Sequence, residues 1–260
     1  MKQALLVTAI LSTTPALAHD DNHIAFTVDN CQVEFQNNVA ITPTEVAITT
    51  SSSQSLTIDA DGHTFINGQQ MDVTEQQKRA LTLYADTLRV ELPKVAAMAT
   101  DAVEVAEVAL NEVAIAFDLD GLDKLSTVLD EVNQEIQATF YQQGSFVMGE
   151  QAFDNFSENF ERQFEERIES AVKSAMFESI GSLLVTIGSE MNNGNMQAFE
   201  QRMENMGKQI EEKVTAQAEH LEQRAESLCN NFEQIAEQEA SLSHAIPALS
   251  SYSLMRFTAN

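Results

Sequence analysis

Positive charge is scarce in this sequence. Fourteen Lys and Arg stand against 40 Asp and Glu, a formal net charge of −26. A surface of that sign repels phosphate backbones and anionic lipid heads, which argues against nucleic acid as a partner and against a basic helix lying on a membrane. Long apolar runs are missing too. The best, "SIGSLLVTIG" at 179–188, is about half the ~20 residues that a spanning helix needs, so no membrane span is expected. Trp is absent, while Phe (14) and Met (10) are plentiful. No G-x-S-x-G elbow, H-E-x-x-H helix or phosphate-binding glycine loop occurs. Carboxylate pairs such as Glu165-Glu166 and Glu211-Glu212 are background in so acidic a chain. No catalytic residue is singled out, and no cofactor is expected.

What is present begins at the N-terminus. Met1-Lys2 precedes the apolar run "ALLVTAIL" at 4–11, and "STTPALA" ends in a small-residue site at Ala16-Leu17-Ala18. That order of charge, apolar run and A-x-A-like site is the layout of a cleaved secretory signal, residues 1–18. No lipobox Cys follows the run. Removing the leader takes Lys2 and no acid, which leaves 13 basic side chains and a charge of −27. The two cysteines, Cys31 and Cys229, both lie in the exported part, where disulfides persist. A Cys31–Cys229 bridge is therefore expected.

Residues 19–30 read as a flexible tail and 31–73 as a small β unit. In "CQVEF", Cys31, Val33 and Phe35 alternate with polar residues, a period of two with one buried face. "EVAIT" and "LTID" repeat the pattern with Val46 and Ile48, then Leu56 and Ile58. Asp61-Gly62 turns the chain, "HTFI" returns it, and Asn67-Gly68 is a strong signal for a two-residue hairpin before "QQMDV". Thr74 then caps a helix, with Gln77 completing a capping box.

Residues 74–240 read as a helical body. Leu81, Tyr84, Leu88 and Leu92 recur at helical spacing. Pro93 breaks that helix and can start the next. Residues 94–117 are rich in Ala and Val. A third helix follows "DLDGLD", with a stripe of Leu122, Leu125, Leu129, Val132, Ile136 and Phe140; Gly144 and Gly149 loosen the chain after it. A Phe-rich fourth helix, the turn "MNNGN" at 191–195 and a fifth helix to about Glu239 complete the body. The tail at 241–260, Ser-rich and containing Pro247, is expected to be mobile. The fold class is thus α+β and mostly α: an antiparallel meander, then long amphipathic helices in a bundle or antiparallel coiled coil.

The candidate chemistry is thin. "DADG" at 59–62 and "DLDGLD" at 118–123 look calcium-like, but each places Gly fourth and lacks the bidentate Glu of an EF-hand loop. "HDDNH" at 19–23 could gather a transition metal weakly and reads as a solvated tail. His63, His220 and His244 lie apart without ligand spacing, so no stoichiometric metal is expected. The Phe and Met stripes of the last two helices are either core or an adaptable surface for a protein or apolar-peptide partner, with Phe199, Met203 and Met206 as the candidate contacts.

An early Cys strand, "LTIDADGHTFINGQQMDVTEQQKRALTLYADTLRVELP", long helices and a late Cys together resemble the YggN-like family of periplasmic proteins, a domain family of unknown function in gammaproteobacteria. The resemblance is most specific over 56–93 and covers most of the chain after the leader. It implies residence in the periplasm of a Gram-negative bacterium and supplies no reaction. The functional expectation is a non-enzymatic envelope protein: structural, binding or chaperone-like. The alternative is an envelope hydrolase with an unrecognised carboxylate site. The leader reading is tested by intact-mass analysis of the protein recovered from the envelope, which should begin at His19. Soluble protein that keeps Met1 to Ala18 would contradict it.

Overall fold

The computed structural model describes residues 25–28, 31–117, 123–171, 173–174 and 196–259. The leader, the His19–His23 cluster, residues 118–122 of the Asp-Gly break and the turn at 191–195 lie outside them. The chain divides into two compact units. The first takes residues 1–91, 148–151 and 228–260, and the second takes 92–147 and 152–227.

In the first unit, strands β1 (Ala25–Val28) and β2 (Cys31–Phe35) pair antiparallel, and β10 (Met255–Ala259) pairs with the other side of β2. A second sheet carries β3 (Asn38–Ile41), β4 (Glu45–Thr49), β5 (Ser55–Asp59), β6 (Thr64–Ile66) and β7 (Gln69–Gln70), each antiparallel to its chain neighbour. The period-two reading holds: Cys31, Val33, Phe35, Val46, Ile48, Leu56 and Ile58 are all buried. Asn67 and Gly68 have φ of 49° and 77°, the two positive values a type I′ hairpin needs. The strand expected over "QQMDV" is only two residues long, since just Gln69 and Gln70 pair with β6. β3 was not foreseen.

Helix α1 (Glu75–Glu91) begins where the capping box places it. The Gln77 N–H donates to Thr74 Oγ1 at 3.3 Å and the Thr74 N–H to Gln77 Oε1 at 2.9 Å, satisfying donors that the helix start leaves open. Its buried residues are Leu81, Tyr84, Ala85 and Leu88, which face β4 and β5. α2 (Pro93–Phe117) opens on the expected Pro and packs on α3 (Asp123–Phe140) in the second unit. The buried stripe of α3 is Val128, Val132, Ile136 and Phe140; Leu125 and Leu129 are only half-buried, so the face is turned relative to the Leu-centred reading. Gly144 does more than loosen the chain. With Gln143 (φ 51°) and Gly144 (φ 82°) at the turn, β8 (Tyr141–Gln142) and β9 (Ser145–Met148) form a hairpin inside the expected helical body. Gly149 is a point of close approach: a Cβ there would come within 2.6 Å of Asn38 Cα. α4 (Glu150–Phe160) runs into a π-helical turn at Glu161–Glu165, with Phe164 buried.

Helix α5 (Met196–Ala245) is 50 residues long and passes the expected end at Glu239 by more than a turn. The segment from Ser241, expected as a mobile tail, is regular structure. It completes α5, makes a 3₁₀ turn at Pro247–Tyr252 and ends in β10. The reason is apolar content that the Ser-rich composition hides: Leu242, Ile246, Leu249, Tyr252, Leu254 and Met255 are all buried. Cys31 and Cys229 are bonded, with Cα atoms 6.1 Å apart. Phe35 of β2 meets Phe232 of α5 edge to face at 6.1 Å beside them. The chain is thus mostly helical with N-terminal antiparallel strands. No helix among the described residues is long and apolar enough to cross a membrane.

Candidate functional site

The β5–β6 turn and the first turns of α1 meet at a surface groove of about 340 Å³, lined by Asp61, Glu75, Lys78, Arg79, Thr82, Leu83 and Asp86. The turn is held from within by Asp59. Its Oδ1 accepts from the Asp61 N–H at 2.9 Å and the His63 N–H at 2.8 Å, while Oδ2 lies 2.9 Å from His63 Nδ1. Gly62 (φ 80°) brings the turn against α1, since a Cβ there would meet Thr82 Oγ1 at 2.2 Å.

The carboxylate fixes the imidazole. With Nδ1–H donating to Asp59, the lone pair of Nε2 faces Lys78 Nζ at 3.5 Å. Burial acts to raise the Asp59 pKa. The hydrogen bonds from the His63 side chain and from the amides of His63 and Asp61 outweigh it, and the carboxyl lies below its ordinary range. The His63 side chain is 41% exposed, and its Nε2 lies 3.5 Å from Lys78 Nζ of the groove lining. Thr82, the hydroxyl in the groove lining, donates to the Lys78 carbonyl at 3.0 Å and not to His63.

Asp59, Asp61 and His63 present ligand-type atoms within 4.8 Å of one another, so the fold assembles a cluster that linear spacing does not reveal. These are the described residues that could hold a divalent ion. Three N–H groups donate to Asp59, and the Lys78 ammonium stands 3.5 Å from His63 Nε2. His220 and His244 are exposed on α5, far along the chain from this cluster.

The expected partner contacts Phe199, Met203 and Met206 fall on the α5 backbone, but their side chains lie outside the described residues. Two apolar side chains that the sequence reading passed over stand in the open instead. Leu83 and Val90 of α1 are each 59% exposed, and Leu83 borders the groove. They are seven residues apart and therefore share a face of the helix. The signal was available, because both fall out of phase with the Leu81, Tyr84, Leu88 stripe.

Replacing Asp59 should loosen the turn. Asp59→Ala removes three hydrogen bonds, and at about 0.5–1.5 kcal/mol each it is expected to cost about 1.5–4.5 kcal/mol in urea unfolding. The native pKa is lowered, so the contribution is complete above the unfolded value of about 3.9 and is lost as pH falls through the native value. The gap between wild type and variant should therefore hold near neutral pH and close in acid. A gap independent of pH would show that the carboxylate is not the stabilising form.

No curated protein and no solved structure matches the chain. One family model does, over residues 31–255, a span that runs from the bonded Cys31 to the first residue of β10 and contains the groove and its hairpin. The chain belongs to the family described as a protein of unknown function (DUF2884).

Proposed function

We propose that this is an exported protein of the Gram-negative periplasm that works by binding rather than by catalysis, engaging a protein or apolar-peptide partner through apolar residues left outside on its helices. The observation that carries the reading is the exposed Leu83–Val90 face of α1, set beside a shallow groove of mixed charge. A binding protein requires such a face, whereas an enzyme requires a compact pocket with converging polar groups. Export is supported by the A-x-A-like leader and by the Cys31–Cys229 bond, which suits an oxidising compartment. The resemblance to the YggN-like family of gammaproteobacteria supports the same compartment.

Within the second unit we read the helices as a bundle, held in part by ion pairs. Lys213 of α5 pairs with Glu112 of α2, Arg224 with Asp101, and Arg167 with Glu131 of α3. On α5, Phe199, Met203 and Met206 are proposed as a separate candidate contact, since Met beside Phe adapts to apolar partners. An envelope hydrolase is the second reading, and the Asp59–His63 pair at the groove edge is the observation in its favour.

Photo-crosslinking from position 83 in intact envelopes tests the first reading. It should give a discrete adduct that Val90→Glu removes. Both positions are exposed, so Val90→Glu should change stability by no more than about 0.5 kcal/mol. An adduct pattern unchanged by Val90→Glu would contradict the assignment. Hydrolysis of envelope material that His63→Ala abolishes would favour the second reading instead.

A further inference from the structure

Among its described residues, the first unit buries one carboxyl group with no cation beside it. Glu239 of α5 is 6% exposed. Its Oε1 accepts from the Tyr84 hydroxyl of α1 at 2.6 Å and from the Leu254 N–H at 2.9 Å, and its Oε2 accepts from Ser253 Oγ at 2.6 Å. A pocket of about 20 Å³ beside the carboxyl is lined from α1, β5, α5 and the C-terminal turn. Its titratable groups are Tyr84, Tyr252 and Glu239 itself, with no Lys, Arg or His. On α1, Glu75 and Arg79 are exposed, Lys78 stands at His63 and Glu91 accepts from Asn231; on α5, Glu226 and Glu233 are exposed. Asp59 binds His63, Asp86 binds Arg89, Arg256 binds Glu34, and Glu237 and His244 are exposed.

Every donor but Tyr84 belongs to the last residues of the chain, and those residues also exclude water from the carboxyl. The cover is held from elsewhere by few bonds. Asn37 Nδ2 donates to the Ser253 carbonyl at 2.6 Å and to the Ser251 carbonyl at 3.2 Å, the Gln36 N–H donates to the Leu254 carbonyl at 2.8 Å, and β10 pairs with β2. A buried carboxylate without a cation is costly even when hydrogen-bonded, because removing it from water is offset only in part. The cost falls when the cover lifts and water enters. A neutral carboxyl carries no such cost. Ser253 can also turn its hydroxyl to the Met255 carbonyl, 3.2 Å away, when the carboxyl itself becomes a donor.

We propose that Glu239 is a proton-operated latch on the C-terminal segment: taking up a proton closes Ser253–Ala259 onto α5 and β2, and losing it loosens that segment before the rest of the unit. Burial pushes the Glu239 pKa up, and the hydrogen bonds from Ser253, Tyr84 and the Leu254 and Met255 amides oppose that without cancelling it. Burial and the neighbouring carboxyl push Tyr84 well above its ordinary value, so it remains a phenol donor throughout. With a raised native pKa, the stabilising contribution is full below the unfolded value of about 4.3 and is lost as pH rises through the native value. Acid therefore tightens the latch.

Amide hydrogen exchange of the full, disulfide-bonded chain tests this, with rates corrected for intrinsic chemistry. Protection of residues 254–259 should fall severalfold as pH is raised from about 4 to about 8, through the native pKa of Glu239. Protection of β4 should not change. Glu239→Gln, which carries no charge, should hold the segment equally protected at both ends of that range. Should the variant not fold, the carboxyl ¹³C resonance of Glu239 in the wild-type chain serves instead, and its titration midpoint should coincide with the change in protection. The same pH dependence in Glu239→Gln would overturn the proposal, as would a Glu239 midpoint near the ordinary carboxyl value with protection flat across it.

Discussion

The bond between Cys31 and Cys229 is the constraint on which the first unit depends, because it closes a loop across a sequence separation of 198 residues. That unit is assembled from three pieces of chain, and its core is shared between a strand near the start and a helix near the end. Bringing such ends together has an entropic cost that grows slowly with loop length. The chain-entropy model gives a cross-link of this span roughly 5 kcal/mol, an upper figure. The contacts around the bond use the proximity it enforces. Phe232 sits one turn from Cys229 and meets Phe35, and β10 completes the sheet whose middle strand begins at Cys31. The Asn231 side-chain amide reaches Glu91 at the end of α1, which fixes the other side of the same stretch of α5.

From that closure the candidate surfaces follow. α1 is laid on β4 and β5 by Leu81, Tyr84, Ala85 and Leu88, so its opposite side must face outward. Lys78, Arg79 and Leu83 then stand beside the β5–β6 turn, and the close approach at Gly62 sets the width between them. Tyr84 points the other way and finds Glu239, 155 residues later in the chain. One helix therefore presents a groove on its outer side and a buried polar contact on its inner side.

Where a local rule determined the outcome, the sequence was readable. Period-two alternation placed the strand at Cys31 and those around Val46 and Leu56, Asn67-Gly68 placed a hairpin, and Thr74 with Gln77 placed the start of α1. Where long-range packing decided, it was not. The hairpin at Tyr141–Met148 turns on Gln143-Gly144, a weaker signal than Asn-Gly, and interrupts a stretch dominated by helical periodicity. β10 lies in a Ser-rich segment and becomes a strand because β2 offers an edge for it. Glu239 looks like any acid on the wet face of an acidic helix until Ser253 and Leu254 fold over it. The Asp59–His63–Lys78 alignment needs both the hairpin and the docking of α1, and neither distance can be read from spacing alone.

The claim that the two ends of the chain close one unit is tested most directly by hydrogen exchange on the oxidised and reduced full chain under otherwise identical conditions. The account predicts that reduction lowers protection of residues 31–35, of α5 around Phe232 and of residues 255–259 together, with a loss of stability of about 2–5 kcal/mol. Protection that survives reduction at all three segments would show that packing alone holds the ends together, and would contradict the account.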